Sequence, residues 1–266
     1  MKKFLILMLM VLMLVPVLAS CGNQKKDWEY IKDKGEIVVG ITIYDPMNYY
    51  DDNNNLIGLD TEFTEAVCAE LGVKAKFQVI DWKMKESELK SRKIDCIWNG
   101  LTVDDERREN MAFSNYYMEN RQVAVIRKAD AEKYSTLESL KDSRTVAENS
   151  SAGEKAIKAD ANLSQSNFTA VAKQTNALLE IKSGTADIAV VDVTTAESAL
   201  KEGSSYTDLM ILDFVTLDSE YYAVGLRLED TEFLAKLNAA MKAVSDRGDL
   251  NRIAEKYGQA DRIIKQ

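Results

Sequence analysis

The residues with chemistry to offer cluster where apolar runs stop. Ile94-Asp95-Cys96-Ile97-Trp98 gives way to Asn99-Gly100-Leu101-Thr102-Val103 and then to Asp104-Asp105-Glu106-Arg107. Gly100 lets a backbone N–H approach a ligand closely. Thr102 offers a hydroxyl, and Arg107 offers a planar fork of donors matched to a carboxylate. A buried strand that opens into a loop and a first helical turn is where open α/β sheets bind ligands. The same letters also fit a strand, a turn and a solvated helix start, because short motifs recur by chance. A second stretch, Ser150-Ser151-Ala152-Gly153-Glu154, carries capping-box spacing between Ser151 and Glu154. A third, Ile188-Ala189-Val190-Val191-Asp192, ends an apolar run on a carboxylate.

Composition narrows the chemistry. The chain has 266 residues and no histidine, which removes Ser-His-Asp and Cys-His nucleophile systems along with the commonest metal ligand. Carboxylate chemistry stays open. A net charge of −9 argues against nucleic acid, which needs a basic face. The length suits one large or two medium domains, and the 46% apolar content suffices for a sizeable core. No cofactor and no metal is expected.

Two series of strands and helices must position these residues. Residues 28–34 predict a short helix closed by Gly35, and residues 36–43 a β-rich strand. A loop rich in Asp and Asn, with Pro46, runs to Asn55. Asp60 then reads as the N-cap of a helix over 61–71 that stops at Gly72. A strand over 76–80, a helix over 85–90 and a strand over 95–98 complete a β-α-β-α-β series, hence a largely parallel sheet with covering helices. The plan repeats with strands over 145–147, 168–171 and 188–191 and a helix over 176–182. Residues 89–95 match 181–187 in shape. Strand-like segments at 122–126 and 221–226 separate the two series, and helices over 232–245 and 250–256 should return to the first. The chain then crosses between two lobes twice, and two antiparallel connections make a hinge that can close on a small ligand.

The N-terminus reads as a targeting segment. Lys2 and Lys3 precede an apolar run over residues 4–18, too short for a comfortable membrane span, which ends Leu18-Ala19-Ser20-Cys21. Small residues before a cysteine resemble the bacterial lipoprotein signal. That resemblance implies a signal peptide over 1–20, lipidation of Cys21, and a chain held outside the cytoplasmic membrane by acyl chains. Residues 21–26 form the tether. Cys68 and Cys96 remain; free, buried thiols are the preferred reading, with a disulfide left open because the sequence does not supply a Cα separation.

Further markers recur in order. They are Leu56-Ile57-Gly58-Leu59-Asp60-Thr61-Glu62-Phe63, Lys93 through Thr102, Phe113-Ser114-Asn115-Tyr116-Tyr117, Ser183-Gly184-Thr185-Ala186-Asp187 and Ile253-Ala254-Glu255-Lys256-Tyr257-Gly258. With them the chain resembles, from Gly35 to about Asp261, the amino-acid-binding periplasmic solute-binding proteins of ABC importers (extracellular solute-binding family 3, type II periplasmic-binding fold). The resemblance implies an α/β fold of two lobes, each a mostly parallel sheet flanked by helices, joined by a two-strand hinge. Lobe 1 is expected over 27–121 and 222–266, and lobe 2 over 122–221.

It also implies roles. A ligand α-carboxylate would meet Arg107 and the N–H groups of Gly100 and Thr102, while Ser150 and Ser151 add donors at a helix N-terminus, which favours an anion. Asp192 would hold the α-ammonium, Tyr44 and Trp82 would wall the side chain, and Asn99 would accept from the ammonium or side chain. Each residue also has a plainer reading: Arg107 paired with Asp104 or Glu106, Asp192 and the serines as caps, the rings as packing. Asn149 stands where the family often has glycine; Asn tolerates the left-handed conformation better than most residues, so the loop is expected to survive. The stretch Leu101–Asp105 has fewer hydroxyls than usual. Ile41-Thr42-Ile43 places no acid ahead of Tyr44, which weighs against a strongly basic ligand.

The function so implied is a lipid-anchored, monomeric, non-enzymatic receptor for a polar L-amino acid that delivers it to ABC permease subunits. Binding would begin on lobe 1, with lobe 2 closing as Asp192 and Ser151 engage. Two competitors stand beside it: a cyclohexadienyl or arogenate dehydratase-like enzyme with Glu148 or Glu220 as general acid, and a sensor that reports ligand to a partner.

Overall fold

The computed structural model describes residues 27–265. The expected signal peptide over 1–20, the lipidation site Cys21 and the tether over 21–26 lie outside the described residues.

Helix α1 (Asp27–Lys34) feeds β1 (Glu36–Ile41), an apolar strand buried on both faces. Beyond it a small hairpin, β2 (Tyr49–Tyr50) with β3 (Leu56–Ile57), occupies the loop expected to be irregular. Helix α2 (Leu59–Glu70) leads to β4 (Lys74–Val79), which lies parallel to β1. After α3 (Lys85–Lys90), β5 (Cys96–Ile97) lies parallel along the other edge of β1. A single turn, α4 (Asp105–Arg108), and β6 (Ala112–Phe113) follow.

The long strand β7 (Met118–Arg127) then leaves this sheet and enters a second one. There β8 (Arg144–Glu148), α5 (Ala152–Ala159), β9 (Asn167–Val171), α6 (Gln174–Ser183), β10 (Ile188–Asp192), α7 (Val193–Leu200) and β11 (Leu209–Ile211) repeat the plan. Strand β12 (Ser219–Tyr222) returns antiparallel to β7, and β13 (Gly225–Leu226) rejoins the first sheet ahead of α8 (Thr231–Asp246) and α9 (Asp249–Lys256). The single strand expected over 221–226 is split. Ala223 donates to Leu101 O and Val224 to Ser114 Oγ, which turns the chain from the hinge ladder into the first sheet.

Sheet order is β4-β1-β5-β13-β6 in the first lobe and β9-β8-β10-β7-β11 in the second. Each is a parallel trio, with the earliest strand in the middle, continued by two more strands, each antiparallel to its inner neighbour. The two-lobe plan is therefore a repeat of topology. In β1 the two-residue period of a strand sends Ile37, Val39 and Ile41 toward Phe63, Phe233 and Met241 of the helical layer, and Val38 toward Trp82, Leu89 and Ile97 on the other face. In the second lobe Val123, Val125 and Val191 meet Leu178, Ile181 and Ala196, while Ala124, Ile126 and Val190 meet Ile157 and Leu163. Cys68 and Cys96 are free and buried, and burial pushes the Cys68 thiol up to about 12, so both behave as small apolar groups.

The matched segments at 89–95 and 181–187 act as twin clips. Asp95 donates its N–H to Val38 O and accepts from Val38 N, at 2.7 Å each; Asp187 does the same with Arg144, at 2.8 and 3.1 Å. Each carboxylate also meets cations: Lys34 and Arg227 at Asp95, Arg144 and Arg127 at Asp187. Asp95→Ala is expected to lower the unfolding free energy by about 3 kcal/mol, since it leaves a buried N–H unpaired and weakens the pairing of buried Arg227. Asp187→Ala should lower it less, because Arg144 is 48% exposed and rehydrates. Urea unfolding followed by circular dichroism measures both, and the reverse order would refute the burial argument.

Candidate functional site

The C-terminal ends of the two parallel trios face each other. Between them lies a narrow cavity lined by Tyr44, Trp82, Asn99, Gly100, Thr102 and Arg107 from the first lobe and by Glu148, Ser151, Ala152, Gln174 and Asp192 from the second. Tyr44 follows β1, Trp82 follows β4 and Asn99 follows β5; Glu148 ends β8, Gln174 opens α6 after β9, and Asp192 ends β10. Of the expected ligand residues, Ser150 alone is off this wall.

The turn after β5 is set by Asp60, and here two expectations are corrected. Helix α2 begins at Leu59, with Gly58 at the N-cap position, and Asp60 caps nothing. Instead its buried carboxylate accepts from Gly100 N at 2.7 Å and Tyr117 Oη at 2.8 Å. The Gly100 N–H is therefore engaged inside the lobe and is not offered to a ligand. Glycine is required there for another reason: φ is +55°, and a Cβ would lie 1.9 Å from Tyr44 Oη. Asn99 is likewise turned inward. Its Oδ1 accepts from Thr42 N (2.9 Å) and Asn48 Nδ2 (2.8 Å), and its Nδ2 donates to Thr42 Oγ1, which fills the acceptor expected to meet an ammonium.

Thr102 and Arg107 carry the free capacity of this lobe. Thr102 opposes Tyr222 across a non-hydrogen-bonded pair, since the flanking bonds run from Val103 N to Tyr221 O and from Ala223 N to Leu101 O. Its own N–H has no partner among the described residues, and its Oγ1 donates to Glu220 Oε1 at 2.9 Å. Arg107, 7% exposed, donates through Nη1 to Thr102 O (2.6 Å) and through Nη2 to Ser150 O (3.3 Å), with Nε 3.7 Å from Asp104. The expected Arg107–Asp104 pair exists, and the guanidinium still borders the cavity.

In the second lobe Ser151 caps α5, its Oγ accepting from Glu154 N at 3.1 Å. The Glu154 carboxylate takes Ser150 N rather than Ser151 N, which donates to Glu148 O. The donors left at the helix start are the N–H groups of Ala152 and Gly153, and Gly153 is pressed so close to β10 that a Cβ would lie 2.6 Å from Val190 O. Ser150, not Asn149, takes the left-handed conformation, at φ 58°. Its carbonyl accepts from both Arg107 and Lys85 Nζ (3.1 Å), so Ser150 bridges the lobes instead of donating into the cavity.

Asp192 makes no cap to α7. Its carboxylate accepts from amide groups of Asn120, Gln122 and Gln174, and among the described residues it has no cationic partner. Burial raises its pKa against those three amides. Glu148, 4% exposed, and Glu220, held by Thr102, Asn120 and Gln122, are neighbours of that charge. Burial, then the Asp192 charge, pushes Glu148 up to about 8 and Glu220 up to about 7. Burial alone outweighs two hydrogen bonds at Asp60 and pushes it up to about 7. Lys85 is drawn down to about 8 by burial and then by Arg107. Glu148 and Gln174 were not among the expected ligand residues, although both stand at the same strand edge as Asp192.

These shifts fix a pH dependence. With ordinary values of 3.8 for Asp60 and 4.5 for the two glutamates, the folded chain holds more protons than the unfolded chain from about pH 4 to 8. The stability they contribute is complete below that window and is lost as pH rises through 7 to 8; Lys85 acts only above it. The ligand-free protein should melt at progressively lower temperature from pH 5.5 to 8.5, and Glu148→Gln should flatten the decline. Scanning calorimetry across that range checks both.

The sequence model of the bacterial extracellular solute-binding proteins, family 3, matches residues 37–260. Two curated relatives come from Bacillus subtilis. The arginine-binding extracellular protein ArtP is 27% identical over 97% of this chain and 98% of its own length. The L-cystine-binding protein TcyA is 27% identical over 97% of each. Among solved structures, an ABC uptake transporter substrate-binding protein from Streptococcus pneumoniae with bound histidine superposes with a TM-score of 0.78 at 31% identity, covering 86% of this chain and 95% of that one.

Proposed function

The chain belongs to the bacterial extracellular solute-binding proteins, family 3, and on that premise we propose that it captures an L-amino acid outside the cytoplasmic membrane and delivers it to an ABC importer. The observation that carries the reading is the pairing across one buried cavity of Arg107 on the first lobe with Asp192 on the second. An α-carboxylate fits Arg107, the unpaired Thr102 N–H and the N-terminus of α5. An α-ammonium supplies the cation that Asp192 lacks. Tyr44 and Trp82 wall the space that remains, and a polar side chain suits the acids and amides along it. The relatives named for arginine, cystine or histidine are amino-acid binders, which supports the same substrate class.

In this reading the ligand settles first on lobe 1 (27–121 and 222–266), and lobe 2 (122–221) swings closed on strands β7 and β12. Closure joins Ser150 O to Arg107 and Lys85 on one rim, and Ser198 Oγ to Asp45 Oδ1 at 2.6 Å on the other. Lipidated Cys21 anchors a monomer near the permease subunits that receive the ligand.

The protein is proposed to bind and not to transform its ligand. Of the two acids nominated for a dehydratase reading, Glu220 is engaged by Thr102, Asn120 and Gln122 off the cavity wall, and Glu148 lines the cavity with no second acid–base partner of its own beside it but Asp192, which three amides hold. Incubation with prephenate or arogenate should leave both unchanged. Loss of uptake on deletion of the permease genes would separate transport from sensing.

A calorimetric panel of L-amino acids with ligand-stripped protein should return one or a few binders, and a panel giving neither heat nor thermal stabilisation would sink the reading. Arg107→Ala should weaken binding by about a hundredfold or more, because it leaves the ligand carboxylate buried without a cation. A loss below tenfold would refute the carboxylate assignment.

A further inference from the structure

Glu148 is the one cavity-lining acid without a hydrogen-bond donor. It ends β8, is 4% exposed, and among the described residues receives no N–H or O–H and forms no ion pair. Asp192, beside it on β10, accepts from three amides. Buried carboxyls are normally paired, so a group left open toward a cavity calls for a partner that arrives there. The charges facing Glu148 do not provide one. Lys85 on α3 is directed to the carbonyls of Trp82 and Ser150, Arg107 to those of Thr102 and Ser150, and Asp192 and Asp81 repel it; Lys173, ahead of α6, acts from a distance.

A bound zwitterion matches Arg107 with its carboxylate and Asp192 with its ammonium, which leaves Glu148 as the unmatched group. We propose that Glu148 reads the ligand side chain and selects one that ends in a protonated nitrogen. The inference rests on the amino-acid-receptor reading and adds the side-chain class. With the cavity empty the carboxyl keeps its proton near neutrality; a cationic side chain displaces that proton to solvent, and a neutral side chain leaves it in place.

L-Arginine and L-citrulline, alike in length and shape but differing in charge, separate the alternatives. In ligand-stripped wild-type protein at pH 7.5, arginine should bind at least about 30-fold more tightly than citrulline. Its enthalpy should vary with the ionisation heat of the buffer, as proton release requires. Glu148→Gln should bring the two affinities to within about threefold by weakening arginine while citrulline is retained. The wild type carries an independent check: its preference for arginine should grow by almost tenfold per pH unit from 6 to 7.5, since the carboxyl must be ionised to be matched. Citrulline shares every other titrating contact, so the ratio isolates Glu148.

A wild type that binds the two equally, a preference that ignores pH, or a Glu148→Gln variant that keeps the wild-type ratio would each overturn the assignment. A variant that loses both ligands equally would show Glu148 to be structural and also overturn it. Failure of every L-amino acid to bind the wild type would be recognisably different: the receptor reading would fall, and this inference with it.

Discussion

The buried carboxylate of Asp60 is the contact on which the site depends. It accepts from Gly100 N and Tyr117 Oη in surroundings that favour its protonated form, and so ties helix α2 to the turn after β5. From that turn hang Asn99, whose amide locks onto Thr42 and Asn48, and Thr102, whose carbonyl steadies Arg107. Tyr44 can lie across Gly100 only because no Cβ stands there. The surface proposed to meet a carboxylate is thus positioned from behind, by a group that does not line the cavity.

The two lobes are alike in topology and opposite in charge at their facing edges. The first presents Arg107 and Lys85; the second presents Glu148 and Asp192. Across the cleft Ser150 O of the second lobe is a shared acceptor for both cations of the first. Rim contacts such as Lys155 with Asp104 at 3.3 Å and Arg262 with Glu197 at 2.7 Å each have one exposed partner and contribute little.

Much of this was legible in the sequence because buried parallel strands are apolar runs and their ends are abrupt. The β-α-β series and the double crossing follow from that contrast, while the family resemblance singled out Tyr44, Trp82, Thr102, Arg107, Ser151 and Asp192, which line one cavity. What was misread depends on partners far along the chain. Asp60 looks like a cap because it stands near a helix start; that its carboxylate belongs to Gly100, 40 residues on, is visible only in three dimensions. Asn99 has the right chemistry and place, yet its amide is saturated by neighbours that no local pattern reveals. Glu148 was passed over as a ligand residue because the strand was expected to stop at Ala147, whereas it runs one residue further and ends on Glu148, as β10 ends on Asp192.

The place of β13 bears on how the chain assembles. Gly225 and Leu226 sit between β5 and β6, strands that precede them by more than a hundred residues, and the second sheet is formed entirely by chain lying in between. During synthesis the second lobe can complete its sheet from contiguous sequence, while the first must wait with a gap between β5 and β6. The lobe made first is finished last, and the final strand to enter it is the one that brings the two halves into register.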